Sequence, residues 1–188
     1  MKLIKIGMIS LLTSVALYAG TFNIDKSHSN VGFKVKHLMI TNVIGKFDKF
    51  SGTIEYDETT KTLKSISGKV EVDSINTENE KRDKHLKEDD FLAAEKFPYI
   101  TFESSKVEGD KVIGKFTLRG VTKEVEFELE NNGTIKDQRG NTKVGLSLYG
   151  KINRKDYGVV YNKVLEAGGV AVGEIIKLSI DLEGNLQK

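Results

Sequence analysis

The sequence contains no cysteine and only one proline among its 188 residues. Without cysteine we expect neither disulfides nor a lipoprotein anchor, so a hydrophobic core must hold the exported chain together. The single proline, Pro98, leaves long stretches in which strands can form without interruption. There is also no cluster of basic residues interleaved with aromatic ones, which argues against a nucleic-acid partner.

Residues 1–19 are typical of an export signal. Lys2 and Lys5 form a positive start, and the mostly apolar run from Ile6 to Leu17 is shorter than the ~20 residues that a membrane-spanning helix needs. We expect a mature chain that begins at Gly20, one residue either way, and a periplasmic location without a stable membrane anchor. Cleavage removes two lysines and leaves equal numbers of basic and acidic residues, so the basicity of the whole chain belongs to the signal.

Apolar and polar residues alternate along most of the remaining chain, which predicts β-strands. About eight such segments occur, and the short connections between most of them predict antiparallel neighbours. One face of each segment is densely charged, as Glu124, Glu126, Glu128 and Glu130 show, so this face must meet water. That pattern argues against an outer-membrane barrel, whose apolar face points outward. We predict that residues 20–188 form one all-β domain, an eight-stranded antiparallel barrel, with a two-sheet sandwich as the alternative.

The stretch between the third and fourth predicted strands does not alternate. Thr77 and Glu80 have the spacing of a capping box, and helix-forming residues continue towards Pro98, so we predict a helical insert. Its charged residues fit a solvated helix face better than a pair of catalytic carboxylates. Apolar residues of the insert such as Leu86 and Phe91 must be buried, and we expect them to cover one end of the barrel.

The three histidines do not form a recognisable catalytic or metal-binding pattern. His28, His37 and His85 lack the spacing of known metal sites, and no thiolate ligand is present. Asp25, Ser27 and His28 stand together, but a catalytic triad is a spatial arrangement, and the sequence has no nucleophile elbow. We predict no metal, no cofactor and no catalytic residue. The alternative is an enzyme that acts on a lipid or prenyl substrate through His28, His85 and carboxylates of the insert.

Several blocks of residues, in the expected order, resemble the YceI-like family of secreted, lipocalin-like proteins. These blocks are Ile24-Asp25-x-x-His28-Ser29-x-Val31-x-Phe33-x-Val35-x-His37; Ser74-Ile75-Asn76-Thr77, Arg82-Asp83-x-His85-Leu86, Asp90-Phe91 and Phe97-Pro98-x-Ile100-x-Phe102-x-Ser104; Gly114-x-Phe116-Thr117-Leu118-x-Gly120-Val121-Thr122-Lys123; and Arg154-x-Asp156-Tyr157-Gly158. The match covers essentially all of the mature chain. Leu92 and Tyr157 depart from the family pattern, which often has Phe at these positions, but the side chains of both are still largely apolar.

This resemblance implies a periplasmic lipocalin-like barrel with an elongated apolar cavity, in a family that is not known for enzymes. Its members are associated with polyisoprenoid lipids, including quinone-type or prenyl-phosphate tails, and with fatty-acid derivatives. A hydrocarbon tail gains about 0.8 kcal/mol per CH₂ removed from water, so such a ligand can be held without a catalytic group. We predict a carrier or reservoir for a long-chain amphiphile, as a monomer or homodimer. A stress-response interaction protein with an incidental cavity is a further alternative.

Candidate ligand contacts follow from the inward faces of the strands and from the expected barrel mouth. About half of the following apolar residues should touch the tail: Phe33, Val35, Val70, Val72, Ile75, Phe91, Phe102, Phe116, Leu118, Phe127, Leu146 and Leu148. Polar residues expected near the head group are His28, His37, Asn76, His85, Arg154 and Tyr157.

Overall fold

A computed structural model describes residues 19–163 and 170–187 of the chain. The strands in these two ranges are β1 (Ala19–Ile24), β2 (Asn30–His37), β3 (Thr41–Phe47), β4 (Phe50–Asp57), β5 (Thr62–Glu71), β6 (Ile75–Asn76), β7 (Tyr99–Glu108), β8 (Lys111–Leu118), β9 (Val121–Lys136), β10 (Thr142–Asn153) and β11 (Val172–Leu186). The helices are α1 (Glu80–Leu86) and three short 3₁₀ helices, Lys26–His28, Val72–Ser74 and Arg154–Tyr157. No helix in the described ranges is long and apolar enough to cross a membrane.

The strands close into an eight-stranded antiparallel barrel, because three of its strands each consist of two consecutive segments. These composite strands are β1 with β2, β3 with β4, and β5 with β6. Each strand pairs with the next along the chain, and β11 closes the barrel by pairing with β1 and β2. The insert that contains α1 connects β6 to β7. The structure therefore confirms the predicted eight-stranded barrel with a helical insert between the third and fourth strands.

The connections differ between the two ends of the barrel. At the lower end, short turns join β4 to β5, β7 to β8 and β9 to β10. The upper end carries the β2–β3 hairpin at 38–40, the insert at 77–98, the β8–β9 turn at 119–120 and the connection after β10. Any opening into the barrel interior at the upper end is therefore formed by these upper connections.

Large apolar side chains fill the lower half. Phe22, Ile54, Tyr56, Val144 and Leu146 are all less than 2% exposed. The rings of Phe22 and Tyr56 meet edge to face with centroids 6.4 Å apart, and the Tyr56 hydroxyl donates to Asn131 Oδ1 at 3.0 Å. Each such side chain contributes about 1.5–3 kcal/mol through burial, so this half supplies much of the core that a chain without disulfides requires.

The helical insert is less helical than the sequence pattern predicts. Asn79, not Thr77, caps α1 by accepting the Arg82 amide at 3.0 Å. After Leu86 the chain continues as turns, since the Leu92 amide donates to the Leu86 carbonyl and Ala93 takes a left-handed φ of 50°. A left-handed residue cannot continue a right-handed helix, so the predicted run towards Pro98 is wrong.

Two strands are interrupted or bent at points where hydrogen bonding changes. β5 ends at Glu71, where Ser74 Oγ donates to the Glu71 carbonyl and accepts the Lys49 amide. Those bonds stabilise a 3₁₀ turn that redirects the chain into β6. In β9, a shift in the pairing with β10 and a φ of 78° at Gly133 bend the strand without ending it.

Candidate functional site

Two adjoining voids occupy the barrel above its packed lower half. The mid-barrel void has a volume of about 90 Å³, and the upper void, beneath the insert, has about 110 Å³. Phe47, Ile100 and Leu178 line both voids, so the two share a boundary within the barrel. Almost no polar atom is exposed on the wall of the mid-barrel void, and none on that of the upper void.

Several inward-facing side chains around these voids are less buried than those of the lower half. Phe33 and Val35 on β2, Phe102 on β7, and Leu178 and Ile180 on β11 point inward by strand alternation, yet all remain partly exposed. Because neighbouring strands cover their outer sides, part of this exposed surface faces the voids. The lumen is thus lined with apolar surface that the protein itself does not fill.

Cross-strand glycines allow aromatic rings to lie flat against the barrel wall. A Cβ on Gly45 would lie 2.4 Å from the Phe33 ring, and one on Gly150 would lie 2.7 Å from the Phe127 ring. These glycines are directly opposite those phenylalanines in the strand register. With no Cβ in the way, each ring occupies the glycine's position on the wall and leaves more of the lumen open.

Gly68 marks the roomiest point of the wall. It lines the mid-barrel void, and a Cβ there would meet only one atom outside its immediate neighbours within 4 Å, the Ser51 carbonyl oxygen at 3.9 Å. Its φ does not lie in the left-handed region, so a larger residue fits the local backbone. A side chain at this position would project into the void.

The insert covers the upper void with its apolar residues. Leu86, Phe91 and Leu92 line the void from above. The His85 ring packs edge-on against Phe91 and Tyr161, with centroids 4.9 and 5.0 Å away. These three rings form an aromatic cluster at the upper end of the barrel, next to the void.

Two arginines order the insert, and one of them attaches it to the barrel. Arg119, in the β8–β9 turn, donates to the carbonyls of Asp89 and Phe91. Arg82 in α1 donates to Thr77 Oγ1 at 2.7 Å and to the Thr77 carbonyl at 2.9 Å. Asp83 accepts the Thr77 amide at 2.9 Å. Arg119 thus ties the middle of the insert to the barrel by charge-assisted hydrogen bonds, and Arg82 and Asp83 hold its first residue in place from within the insert.

The structure gathers most of the predicted tail residues around the two voids. The mid-barrel void is lined by Val70, Phe102, Phe116, Phe127 and Leu148, and the upper void by Phe33, Val35, Ile75, Phe91 and Leu118. Val72 and Leu146 line neither void and are each about 1% exposed, so they belong to the packed core. Direct contact of the lining residues with a ligand stays a prediction.

The structure does not bring the predicted head-group residues together. Among them Arg154 lines a void, the upper one. His37 is exposed at the end of β2, and Asn76 donates to Asp48. Tyr157 is buried with its ring against Phe116, and burial raises its pKa. His85 lies in the cover, where its Nε2 is 3.1 Å from Asp90.

Arg154 stabilises the fold through hydrogen bonds to backbone carbonyls. It is 3% exposed, and its guanidinium donates to the carbonyls of Val159, Val172 and Gly173 at 2.7–3.3 Å. Burial lowers its pKa, with an opposing effect from Glu174. Since the wall of the upper void exposes no polar atom, the arginine contributes aliphatic carbon to the lining, and its charged end faces the backbone of the upper connection.

His28 belongs to a charged cluster on the outer wall. Its Nδ1 lies 3.1 Å from Asp25 and 3.7 Å from Glu183, whose carboxylate also receives Lys143 at 2.6 Å. Hydrogen bonds from His28 and from the Ser27 amide lower the pKa of Asp25 to about 2. The cluster links the β1–β2 segment to β10 and β11, across the seam where the barrel closes.

In the part of the chain that the structure describes, two groups of side chains have the composition of a metal site. These groups are Asp25, His28 and Glu183 on the outer wall, and His85, Glu88 and Asp90 on the insert. In the first, Lys143 already supplies a positive charge to both carboxylates. The second lies on the exposed side of the insert, and its histidine and Asp90 already pair. The two histidines of the enzyme alternative therefore lie in separate clusters.

Some lining residues were not selected as tail contacts from the sequence. On β11, Ile176, Leu178 and Ile180 border one or both voids, and their alternation in the sequence is a signal that could have included them. Tyr161 was missed because it lies in the irregular connection after β10, where no periodicity applies. Phe47 and Ile100 were missed although each occupies an inward position of a strand.

Comparisons with known proteins agree with this architecture. The YceI-like domain model matches residues 22–184. A UPF0312 protein of Staphylococcus aureus is 38% identical over 168 residues, covering 89% of this chain and 98% of its own. The crystal structure of the Campylobacter jejuni YceI protein superposes with a TM-score of 0.71 at 30% identity, covering 99% of this chain and 100% of its own.

A more distant structure shares the fold alone. It is a polyisoprenoid-binding domain from Saccharophagus degradans, with a TM-score of 0.67 at 14% identity, covering 90% of this chain and 100% of its own. Because the YceI-like model spans the barrel from β1 to β11, and because the Staphylococcus relatives match over nearly their full length, the chain belongs to the YceI-like family.

Proposed function

We propose that this protein is a periplasmic carrier or reservoir for a long-chain amphiphilic lipid, such as a polyisoprenoid, a quinone-like lipid or a fatty-acid derivative. The observation that carries the proposal is the pair of adjoining apolar voids beneath an apolar cover. Such a lumen can bind a hydrocarbon tail through the hydrophobic effect, at about 25 cal/mol per Å² of apolar surface buried. The wall formed by the described residues exposes almost no polar atom to that tail, which supports a role in binding.

The ligand class is supported by the fold and by the chemistry of the wall. The Saccharophagus degradans domain with this fold is described as polyisoprenoid-binding. An isoprenoid tail carries only carbon and hydrogen, which suits a wall with almost no exposed polar atom. The polar head of the ligand would therefore lie outside the lumen, at the upper end beside His85 and Tyr161.

Binding of a long tail would require the lumen to widen. Each void is smaller than the roughly 300–1,000 Å³ of typical ligand pockets. The partly exposed inward side chains can change rotamer, and so can the aromatic side chains of the cover. We therefore propose that the side chains of His85, Phe91 and Tyr161 rotate aside when a lipid passes, while Arg119 keeps the insert backbone at Asp89 and Phe91 attached to the barrel.

Filling the mid-barrel void tests the proposal directly. Gly68→Leu places a side chain in the void without backbone strain, so uptake of a fluorescent polyprenyl or fatty-acyl probe should fall at least about tenfold. Ser65→Leu is the matched control, since it adds an apolar side chain to the outer face of the same strand and Ser65 lines neither void. The expected result is loss of uptake in Gly68→Leu alone, with both variants folded by circular dichroism. Equal uptake by the two variants, or no uptake by the wild type, would contradict lipid binding in the lumen.

A further inference from the structure

The β2–β3 hairpin presents three consecutive apolar side chains to solvent at the upper end. Leu38, Met39 and Ile40 are 37%, 53% and 82% exposed. The turn is ordered by local bonds, since the Leu38 amide donates to the Ala171 carbonyl at 2.9 Å and the Ile40 amide donates to the His37 carbonyl. We call residues 38–40 the apolar tip. An ordered apolar tip beside the barrel mouth costs solvation free energy unless something covers it.

A row of lysines lies on the outer wall just below the apolar tip. Lys34 on β2 is directly opposite Lys177 on β11, which is directly opposite Lys151 on β10. Among residues 19–163 and 170–187, none of the three has a carboxylate within 4.0 Å. We call Lys34, Lys151 and Lys177 the lysine row. Like charges opposite one another destabilise a sheet, so the row favours an external anion.

The wall formed by β8 and β9, which adjoins β10, shows how this chain otherwise arranges its charges. There Lys111 and Lys115 on β8 lie directly opposite Glu128 and Glu124 on β9. Lysines on that wall thus have acidic cross-strand neighbours, in a mature chain whose predicted net charge is zero. The positive charge of the lysine row is therefore local, and it lies on the same side of the barrel as the apolar tip.

We propose that the upper end of the barrel docks onto an anionic phospholipid bilayer. The apolar tip would enter the boundary between head groups and acyl chains, where apolar residues are typically buried about 5–10 Å deep. Lys34 lies three residues below the end of β2, about 10 Å at 3.3 Å per residue, and a lysine side chain can extend along the wall to reach the lipid phosphates. This docking goes beyond lipid binding in the lumen and does not require it, although it would place the cover next to a membrane.

Sedimentation with vesicles of phosphatidylcholine, with and without phosphatidylglycerol, tests the docking. Ile40→Ser should weaken binding to phosphatidylglycerol vesicles about tenfold, and Lys34→Gln with Lys177→Gln about fivefold for each lysine. The controls lie at the lower end. Ile135→Ser removes a side chain that is 71% exposed there, and Lys61→Gln with Lys136→Gln removes two exposed lysines.

The expected result is binding that needs phosphatidylglycerol, weakens in the upper-end variants and is unchanged in the lower-end controls. Failure of the wild type to sediment with phosphatidylglycerol vesicles would overturn the proposal, as would equal losses at the two ends. If Ile40→Ser instead converts a dimer to a monomer without changing vesicle binding, the apolar tip is an interface between copies and the proposal is wrong. Probe uptake into the lumen, measured on the same variants, separates this outcome from a failure of lipid binding itself.

Discussion

The lower and upper halves of this barrel are built from the same alternating strands but use their interiors differently. Gly184, in the lower half, has no room for even one more carbon, since a Cβ there would lie 2.9 Å from Phe22 and 3.0 Å from Val144. Gly68 borders a void, and a Cβ there would meet almost nothing. One half of the barrel is therefore a packed core, and the other is an apolar lumen with a cover.

The difference shows how a small barrel can combine stability with an empty interior. A void beside apolar side chains forfeits dispersion contacts, so a protein with a lumen must be stabilised elsewhere. Here that stabilisation comes from the aromatic and aliphatic packing around Phe22 and Tyr56. The cost of an open lumen is further limited by Phe33 and Phe127, whose rings pack on glycines of the wall and so keep contacts on one side.

A matched pair of leucine truncations should separate the two halves most strongly. Leu146→Ala, in the packed half, should lower the free energy of unfolding by about 3–5 kcal/mol, because its contacts are lost and a new cavity forms. Leu178→Ala, which removes a side chain that already borders both voids, should cost at most about 2 kcal/mol. Urea denaturation followed by circular dichroism measures both. Equal losses would show that the upper half is packed as tightly as the lower half.

The cover offers a second comparison, between its buried and its exposed faces. Phe91→Asp places a charge over the apolar void and should reduce retention of a bound lipid probe at least about tenfold. Asp90→Asn changes an exposed carboxylate paired with His85 and should reduce retention less than twofold. The measurement is the rate of probe loss to empty vesicles. A larger effect of Asp90→Asn than of Phe91→Asp would contradict this account and would favour a catalytic role for the insert.

The smallest expected effect concerns the seam that closes the barrel. The folded pKa of Asp25 is about 2, below its ordinary value near 3.9, so its ionised form stabilises the folded state above about pH 4. This contribution is lost as the pH falls from about 4 to 2. Asp25→Asn should therefore lower the free energy of unfolding at neutral pH by about 1–2 kcal/mol and flatten its decline over that range. Urea titrations at several pH values test this, and an unchanged acid profile in the variant would contradict it.

Strand number, inward faces and the position of the insert could be predicted from the sequence because each depends on local periodicity. The length of α1 could not, since the hydrogen bonds that end it come from turns and from a left-handed Ala93. The interruptions that divide three barrel strands into two segments each could not be predicted either. Val72 illustrates the limit, because its position in the alternation suggested the lumen, whereas a 3₁₀ turn takes it out of the strand and buries it away from both voids.

Features that depend on strand register were beyond the sequence pattern. The packing of the Phe33 ring against Gly45 and the cross-strand pairing of Lys34 with Lys177 can be predicted only when it is known which residues lie opposite one another. Arg154 is a similar case. Its charge suggested a head-group contact, but the carbonyls that surround it come from Val159 in the upper connection and from the first two residues of β11, and no periodicity reveals that they meet.

Native mass spectrometry of the protein purified without detergent or denaturant, followed by organic extraction, tests the central claim most directly. If the upper half is a lipid-holding lumen, part of the wild-type protein should carry an extra mass that extracts as a long-chain lipid, and Gly68→Leu should carry much less of it. Wild-type protein that neither carries such a lipid nor takes one up from vesicles would contradict the account.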